Sequence, residues 1–220
     1  LRSSAWDAVA DELRRLDHRP LAPALPGADD GDASATLDDQ IGAVLAAVDA
    51  ADRPFVVGHS AASTLAWIAA DRRPEALAGV AMIGGFPTAD GGAYADFFDV
   101  VDGVMPFPGW EPFDGPDSAD LDATARERFA TDAVAVPAGV SKAVVHLTDE
   151  RRRRVPITLV CPEFGPDDAR AWIAAGDLPE LAAAEPVTFV DIDSGHWPML
   201  TRPAELAALL ADAATAVVRR

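Results

Sequence analysis

Apolar positions along the chain change period several times, and each change marks an element. Near the start, Trp6, Val9, Ala10, Leu13 and Leu16 recur at helical spacing. They predict a helix that Ser3 or Ser4 caps, with Asp7 and Asp11 near its positive end. Residues 21–25 form a short apolar run closed by Pro26 and Gly27, the pattern of a strand and a turn. An acidic loop over 28–32 leads to a helix predicted over 34–51, with Ile41, Val44, Leu45 and Val48 on one face. A strand follows over 55–57, a helix over 61–70, and an apolar buried strand over 77–84.

The alternation then stops. Over 86–154 Pro, Gly and Asp cluster, most densely in PFPGWEPFDGP at 106–116, and only 119–133 and 141–150 read as helical. An insertion of that length inside one domain reads as a lid. Its aromatics Tyr94, Phe97, Phe98, Phe107, Trp110 and Phe113 either line an apolar pocket or fasten the insertion to the core. The run Arg151, Arg152, Arg153 and Arg154 reads as a solvated face or as partners for nearby carboxylates. Alternation resumes with a strand over 155–161, a helix over 167–175 with 181–184 continuing it, and a last strand over 187–192. A terminal helix is predicted over 203–218, capped by Thr201 and with Pro203 in its first turn.

Strand and helix in turn predict an α/β fold, a doubly wound, mainly parallel sheet covered on both faces. Residues 1–85 and 155–220 supply the two parts of the core, and 86–154 the lid. At 220 residues, one domain is expected. The formal charge of -18 argues against nucleic acid and anionic lipid as partners and favours a small uncharged substrate. Cys161 is the only cysteine, which excludes an intramolecular disulfide and makes the cytoplasm the default location. No signal peptide and no apolar stretch long enough to cross a bilayer is visible. Histidines, the cysteine and carboxylates do not cluster at ligand spacing, so no metal or cofactor is implied. Beyond the substrate, the partner expected is at most a second copy in a homodimer.

The candidate chemistry lies where the strand over 55–57 meets the helix over 61–70. Gly58, His59, Ser60, Ala61 and Ala62 form a G-x-S-x-A turn. A serine on such a sharp strand-to-helix turn needs small neighbours two positions to either side, and Gly58 and Ala62 are small. Ser60 is then a nucleophile lifted above the sheet edge, and the Ala61 N–H at the helix start faces a developing oxyanion. The plain alternative is a serine in the first turn of a buried helix. A serine hydroxyl needs a base, most often a histidine held by a carboxylate. His196, in the turn between the last strand and the terminal helix, is placed to be that base; His59 points away from the hydroxyl, and His18 and His146 read as structural or exposed. In the order serine, acid, histidine, the acid falls in the loop after the strand over 155–161. Glu163 is the first choice there, with Asp167 and Asp168 next in line, although both aspartates also fit a helix cap or first turn. His59, Phe86, Trp110 and Trp197 are expected to line the substrate pocket.

The elbow VGHSAA at 57–62, the turn ALPG at 24–27 and the ending SGHWPMLTRP at 194–203 resemble the α/β-hydrolase superfamily over the whole chain. The stretch EFGPDDARAW at 163–172 is similar to the acid loop of the small methylesterase and hydroxynitrile lyase group. There the acid is an aspartate one position earlier, where this chain has Pro162. Members also carry a strand and a His-Gly or similar loop, the source of the second oxyanion donor, just before the helix that begins here near Ser3. By position Leu1 falls at that donor, and the resemblance implies that the usual N-terminal strand is absent from this sequence. Losing one such donor costs roughly 100-fold to 1,000-fold in turnover. The activity implied is hydrolysis of a carboxylic ester or lactone by a serine triad. The same fold also hosts carbon–carbon bond hydrolases, hydroxynitrile lyases that use a pocket lysine, for which Lys142 is the only candidate, and binding proteins without activity.

Overall fold

The computed structural model describes residues 1–218. Two stretches are buried at every position because both their faces are covered: β2 (Gly79–Ile83), apolar throughout, and β5 (Ile157–Cys161), apolar but for Thr158. They sit at the centre of a parallel sheet, flanked by β1 (Phe55–His59) and β6 (Val187–Asp191), in the order β1-β2-β5-β6. Period-two alternation sorts their side chains. Val80, Met82, Ile157 and Leu159 enter one apolar core, and Ala81, Ile83 and Val160 the other.

The first core is closed by α2 (Leu37–Asp49), α3 (Ala62–Arg72), α6 (Pro166–Ala175) and the single turn α7 (Pro179–Ala182). On the other face lie α1 (Asp7–Arg15), the turn α8 (Pro198–Thr201) and α9 (Pro203–Val218), through Val9, Met199, Leu206 and Leu210. This is the doubly wound α/β arrangement expected from the sequence. No helix among the described residues is long and apolar enough to cross a membrane.

Several local expectations are corrected. Residues 21–25 are not a strand. Pro20, Pro23 and Pro26 remove the donors a ladder needs, and the Leu25 N–H and C=O are taken by Asp29 and by the turn that follows. Ser3 and Ser4 do not cap α1; they lie in a 3₁₀ turn, and the Ser3 hydroxyl donates to Asp29 at 2.6 Å. The helix predicted from 34 begins at Leu37, because Thr36 and Asp39 close a reciprocal capping box. Thr201 ends α8 rather than capping α9.

Between β2 and β5 the chain forms a short antiparallel pair, β3 (Val104–Met105) with β4 (Val136–Pro137), then α4 (Ala123–Asp132) and the turn α5 (Ala138–Ser141). Most of the helix predicted over 141–150 is extended. Val145 exchanges hydrogen bonds with Gly91 and Gly92, and Ala93 bridges to Val144, pairing a β-branched stretch with the chain that leaves β2. The arginine run divides: Arg151 meets Asp149 and Glu75 at the surface, but Arg152 is only 2% exposed. It is held by Glu180 and Asp71, with the Trp67 indole also donating to Glu180. Neutralised and hydrogen-bonded in this way, the charge tolerates burial under α3.

Candidate active site

The elbow is the most strained part of the sheet end. Ser60 adopts φ +54°, the left-handed region that a side chain disfavours. Two glycines make the turn sterically feasible. A Cβ on Gly58 would lie 2.1 Å from the Ala62 carbonyl oxygen, and one on Gly85 2.4 Å from that of Ser60. The Ser60 N–H donates to Ile83 O at 2.9 Å, fastening the elbow to the end of β2. α3 starts directly after it, and the Ala61 N–H makes no hydrogen bond among the described residues. That free donor is where a helix start favours negative charge.

Gly84 and Gly85 continue β2 past the elbow. A Cβ on Gly84, at φ +54°, would come within 3.2 Å of both Glu163 Oε2 and His196 Nδ1. The bare backbone thus admits the acid and the histidine side by side. Glu163 lies two residues beyond β5 and His196 five beyond β6, on neighbouring strands. His196 Nδ1 is 2.7 Å from Glu163 Oε1, and both side chains are largely buried. Donation from Nδ1–H to the carboxylate leaves Nε2 as the basic nitrogen. The two aspartates of the same loop are engaged away from His196: Asp168 accepts from the Gly165 N–H at the start of α6, and Asp167 pairs with Arg170 in solvent. Ser60 Oγ makes no hydrogen bond among the described residues. In free enzymes such contacts are often loose and tighten around substrate.

The histidine loop is gripped from two sides. The His196 N–H donates to Asp117 O at 2.7 Å, from the segment between β2 and β5. From below, the His59 Nε2–H donates to His196 O at 2.6 Å. His59 therefore ties the elbow to the base loop and, contrary to expectation, is not a pocket residue. Burial, and then the neighbouring His196, hold the His59 imidazole down to about 3 from an ordinary 6.5. Between those values an unfolded chain binds a proton that the folded chain refuses, so stability falls as pH drops through this window. Thermal melts from neutral to mildly acidic pH should show that loss. His59→Gln, uncharged in both states, should flatten it by about one proton.

Beside Ser60 opens a cavity of about 290 Å³, walled by Ala61, Thr64, Gly84, Gly85, Phe86, Thr88, Tyr94, Phe97, Glu163 and Phe164. Phe86 lines this cavity, packed at 5.2 Å between ring centres on Phe164. Trp110 and Trp197 are not. Both belong to an aromatic cluster with Phe107, Phe113 and Phe129, in which Trp197 is 4% exposed. Their bulk anchors the segment between β2 and β5 to the histidine loop. Of the six aromatics singled out in that segment, Tyr94 and Phe97 line the cavity while the rest pack together or on the core. Leu1 does not reach the cavity wall, and Lys142 is engaged with Asp96 outside it. Sequence reasoning missed Phe164, Thr64, Thr88 and the pair Gly84 and Gly85. The adjacency of Phe164 to Glu163, and a Gly-Gly pair at a strand end, were the available signals.

The model of the alpha/beta hydrolase family matches residues 1–209. No curated protein matches the chain in sequence. Among solved structures, the chain is similar to an extracellular alpha/beta-hydrolase from a Paenibacillus species, described as sharing structural and functional homology with tobacco salicylic acid binding protein 2. The two share 18% identity and a TM-score of 0.77 over 96% of this chain and 94% of that one. A pyrethroid hydrolase from Sphingobium faniae gives 20% identity and a TM-score of 0.69 over 100% of this chain and 95% of that one. Polyneuridine aldehyde esterase gives 15% and 0.70, over 97% and 94%. At these identities the likeness concerns the fold.

Proposed function

The chain belongs to the alpha/beta hydrolase family, and from that membership we propose that it is a serine hydrolase of carboxylic esters or lactones of small uncharged molecules. The observation that carries the reading is the 2.7 Å contact of His196 Nδ1 with Glu163, placed beside a serine held at positive φ. His196 Nε2 takes the Ser60 hydroxyl proton as Oγ bonds to the carbonyl carbon, and the carbonyl electron pair moves onto oxygen beside the Ala61 N–H. Collapse breaks the bond to the leaving alcohol, which receives the proton from His196. Water repeats the sequence on the acyl-enzyme, releasing the acid and restoring Ser60. Esterase and hydrolase neighbours of the same fold support the reading, as does a wall without a cation to hold an anionic substrate. The segment over 86–154 acts as the lid, through Tyr94 and Phe97.

A fluorophosphonate tests this directly. Intact mass should rise by one adduct, and proteolysis should place it on Ser60 rather than on Ser63 of the same peptide. A folded protein that stays unlabelled, or is labelled elsewhere, would sink the reading. Lysine-assisted lyase chemistry has less support, because Lys142 is paired with Asp96 away from the cavity.

A further inference from the structure

Tyr94 is 5% exposed and lines the cavity beside Ser60, yet its hydroxyl makes no hydrogen bond among the described residues. The sealed polar atoms without partners are on Asp120, Ser141, Arg153 and Glu163, and Tyr94 Oη is not one of them. The polar tip of this buried side chain therefore keeps some accessibility, and the cavity is the space that the residue lines. Burial also pushes the phenol up, so it stays protonated and can only act as a neutral donor or acceptor.

A second hydroxyl faces the same space. Thr64 Oγ1 accepts from the Thr88 N–H at 3.0 Å and donates to Thr88 Oγ1 at 3.2 Å. That leaves the Thr88 hydroxyl proton without an acceptor among the described residues. Apart from the Ser60 nucleophile and the Thr64 hydroxyl, which is engaged with Thr88, two O–H donors thus line a wall that is otherwise aromatic, aliphatic or backbone, with Glu163 its single charged side chain. Leaving donors unpaired in a dry site is costly, so such a wall suits a ligand with an acceptor to offer them.

Resting on the hydrolase reading, we infer that the substrate is a neutral ester or lactone carrying a second acceptor oxygen, a carbonyl or an ether, outside the scissile group. Tyr94 and Thr88 hydrogen-bond that oxygen, and Phe86, Phe97 and Phe164 hold the apolar body around it. An ester with a plain hydrocarbon chain strands both donors. One neutral hydrogen bond corresponds to a preference of roughly 10-fold.

The test uses p-nitrophenyl alkanoates in which one methylene at a time is replaced by a carbonyl or an ether oxygen. For wild type, kcat/KM for at least one oxygenated ester should exceed that of its all-methylene counterpart by about 10-fold. Tyr94→Phe should bring that ratio close to one, and Thr88→Ser, which keeps the hydroxyl, should retain it. Equal ratios for wild type and Tyr94→Phe would overturn the inference, as would no preference in wild type. Calorimetric binding of the same pairs to Ser60→Ala separates this failure from that of the hydrolase reading. Preferential binding that Tyr94→Phe abolishes in that background supports the recognition even if Ser60 proves inert. Equal binding in a protein that fluorophosphonate labels at Ser60 removes the recognition and keeps the hydrolase. Melting temperatures of each variant confirm that the comparison is made on folded protein.

Discussion

Ser60→Ala is expected to lower kcat for any ester this protein cleaves by about 10⁶-fold, with the melting temperature hardly changed. The size follows from removing the nucleophile of a group of residues that act as a unit, so His196 and Glu163 retain nothing to activate. The small thermal effect follows from the backbone. Ser60 and an alanine in its place both carry a Cβ at φ +54°, so the turn keeps the same strain in either form. Ser60→Gly separates the two roles. It loses turnover to the same extent but releases the penalty for a side chain in the left-handed region, about 1 kcal/mol, and should melt several degrees above Ser60→Ala. Single-turnover kinetics and scanning calorimetry on the two variants check both halves. Equal melting temperatures would mean that glycine's greater freedom in the unfolded chain offsets the strain. Surviving turnover in both would mean that Ser60 is not the nucleophile.

That strain was legible in the sequence because it is local. A short apolar run, Gly58, Ser60 and a helical pattern occupy adjacent positions, and the structure places β1, the elbow and α3 over them. The parallel sheet was legible for the same reason, since strands buried on both faces leave largely apolar runs at 79–83 and 157–161. Glu163 and His196 are 33 residues apart, yet the order of strands and loops in the resembled family sufficed to choose them. What failed was whatever depended on packing between distant stretches. Trp110 and Trp197 look like pocket residues when considered singly, and only their mutual contact and that with Phe129 consign them to the glue. His59 was read by its direction relative to Ser60, while its actual partner is a carbonyl 137 residues away. Arg152 differs from its three arginine neighbours through Glu180 and Asp71, which no local pattern connects to it. Residues 21–25 had strand composition, but proline at every third position denied them a ladder.

Glu163→Gln should lower kcat by about 10⁴-fold while leaving the fold and the cavity in place. The carboxylate accepts from His196 Nδ1–H at 2.7 Å and so fixes the tautomer in which Nε2 is free to take the serine proton. An amide can turn its NH₂ to Nδ1, which places the ring hydrogen on Nε2 and points a donor at Ser60 instead of an acceptor. It also offers no charge to the imidazolium that forms in the transition state. Glu163→Asp keeps the charge and the tautomer but withdraws the carboxylate by one methylene. With misplacements near 1 Å already costing about 100-fold, its kcat should lie between wild type and Glu163→Gln. On the proposed mechanism the backbone accounts for a glutamate: the acid of the resembled group stands one position earlier, where this chain has Pro162, and the longer side chain at 163 reaches His196 from one residue further on. Pro162→Asp in the Glu163→Gln background should therefore recover at least 10-fold of the lost rate, because it returns a short acid to the end of β5. Turnover of p-nitrophenyl esters and the rate of fluorophosphonate labelling read all three variants. Wild-type rates in Glu163→Gln would remove Glu163 from the mechanism and direct attention to Asp117. That residue's backbone carbonyl already holds the His196 N–H, and its carboxyl is pushed up by burial and by Glu163 nearby.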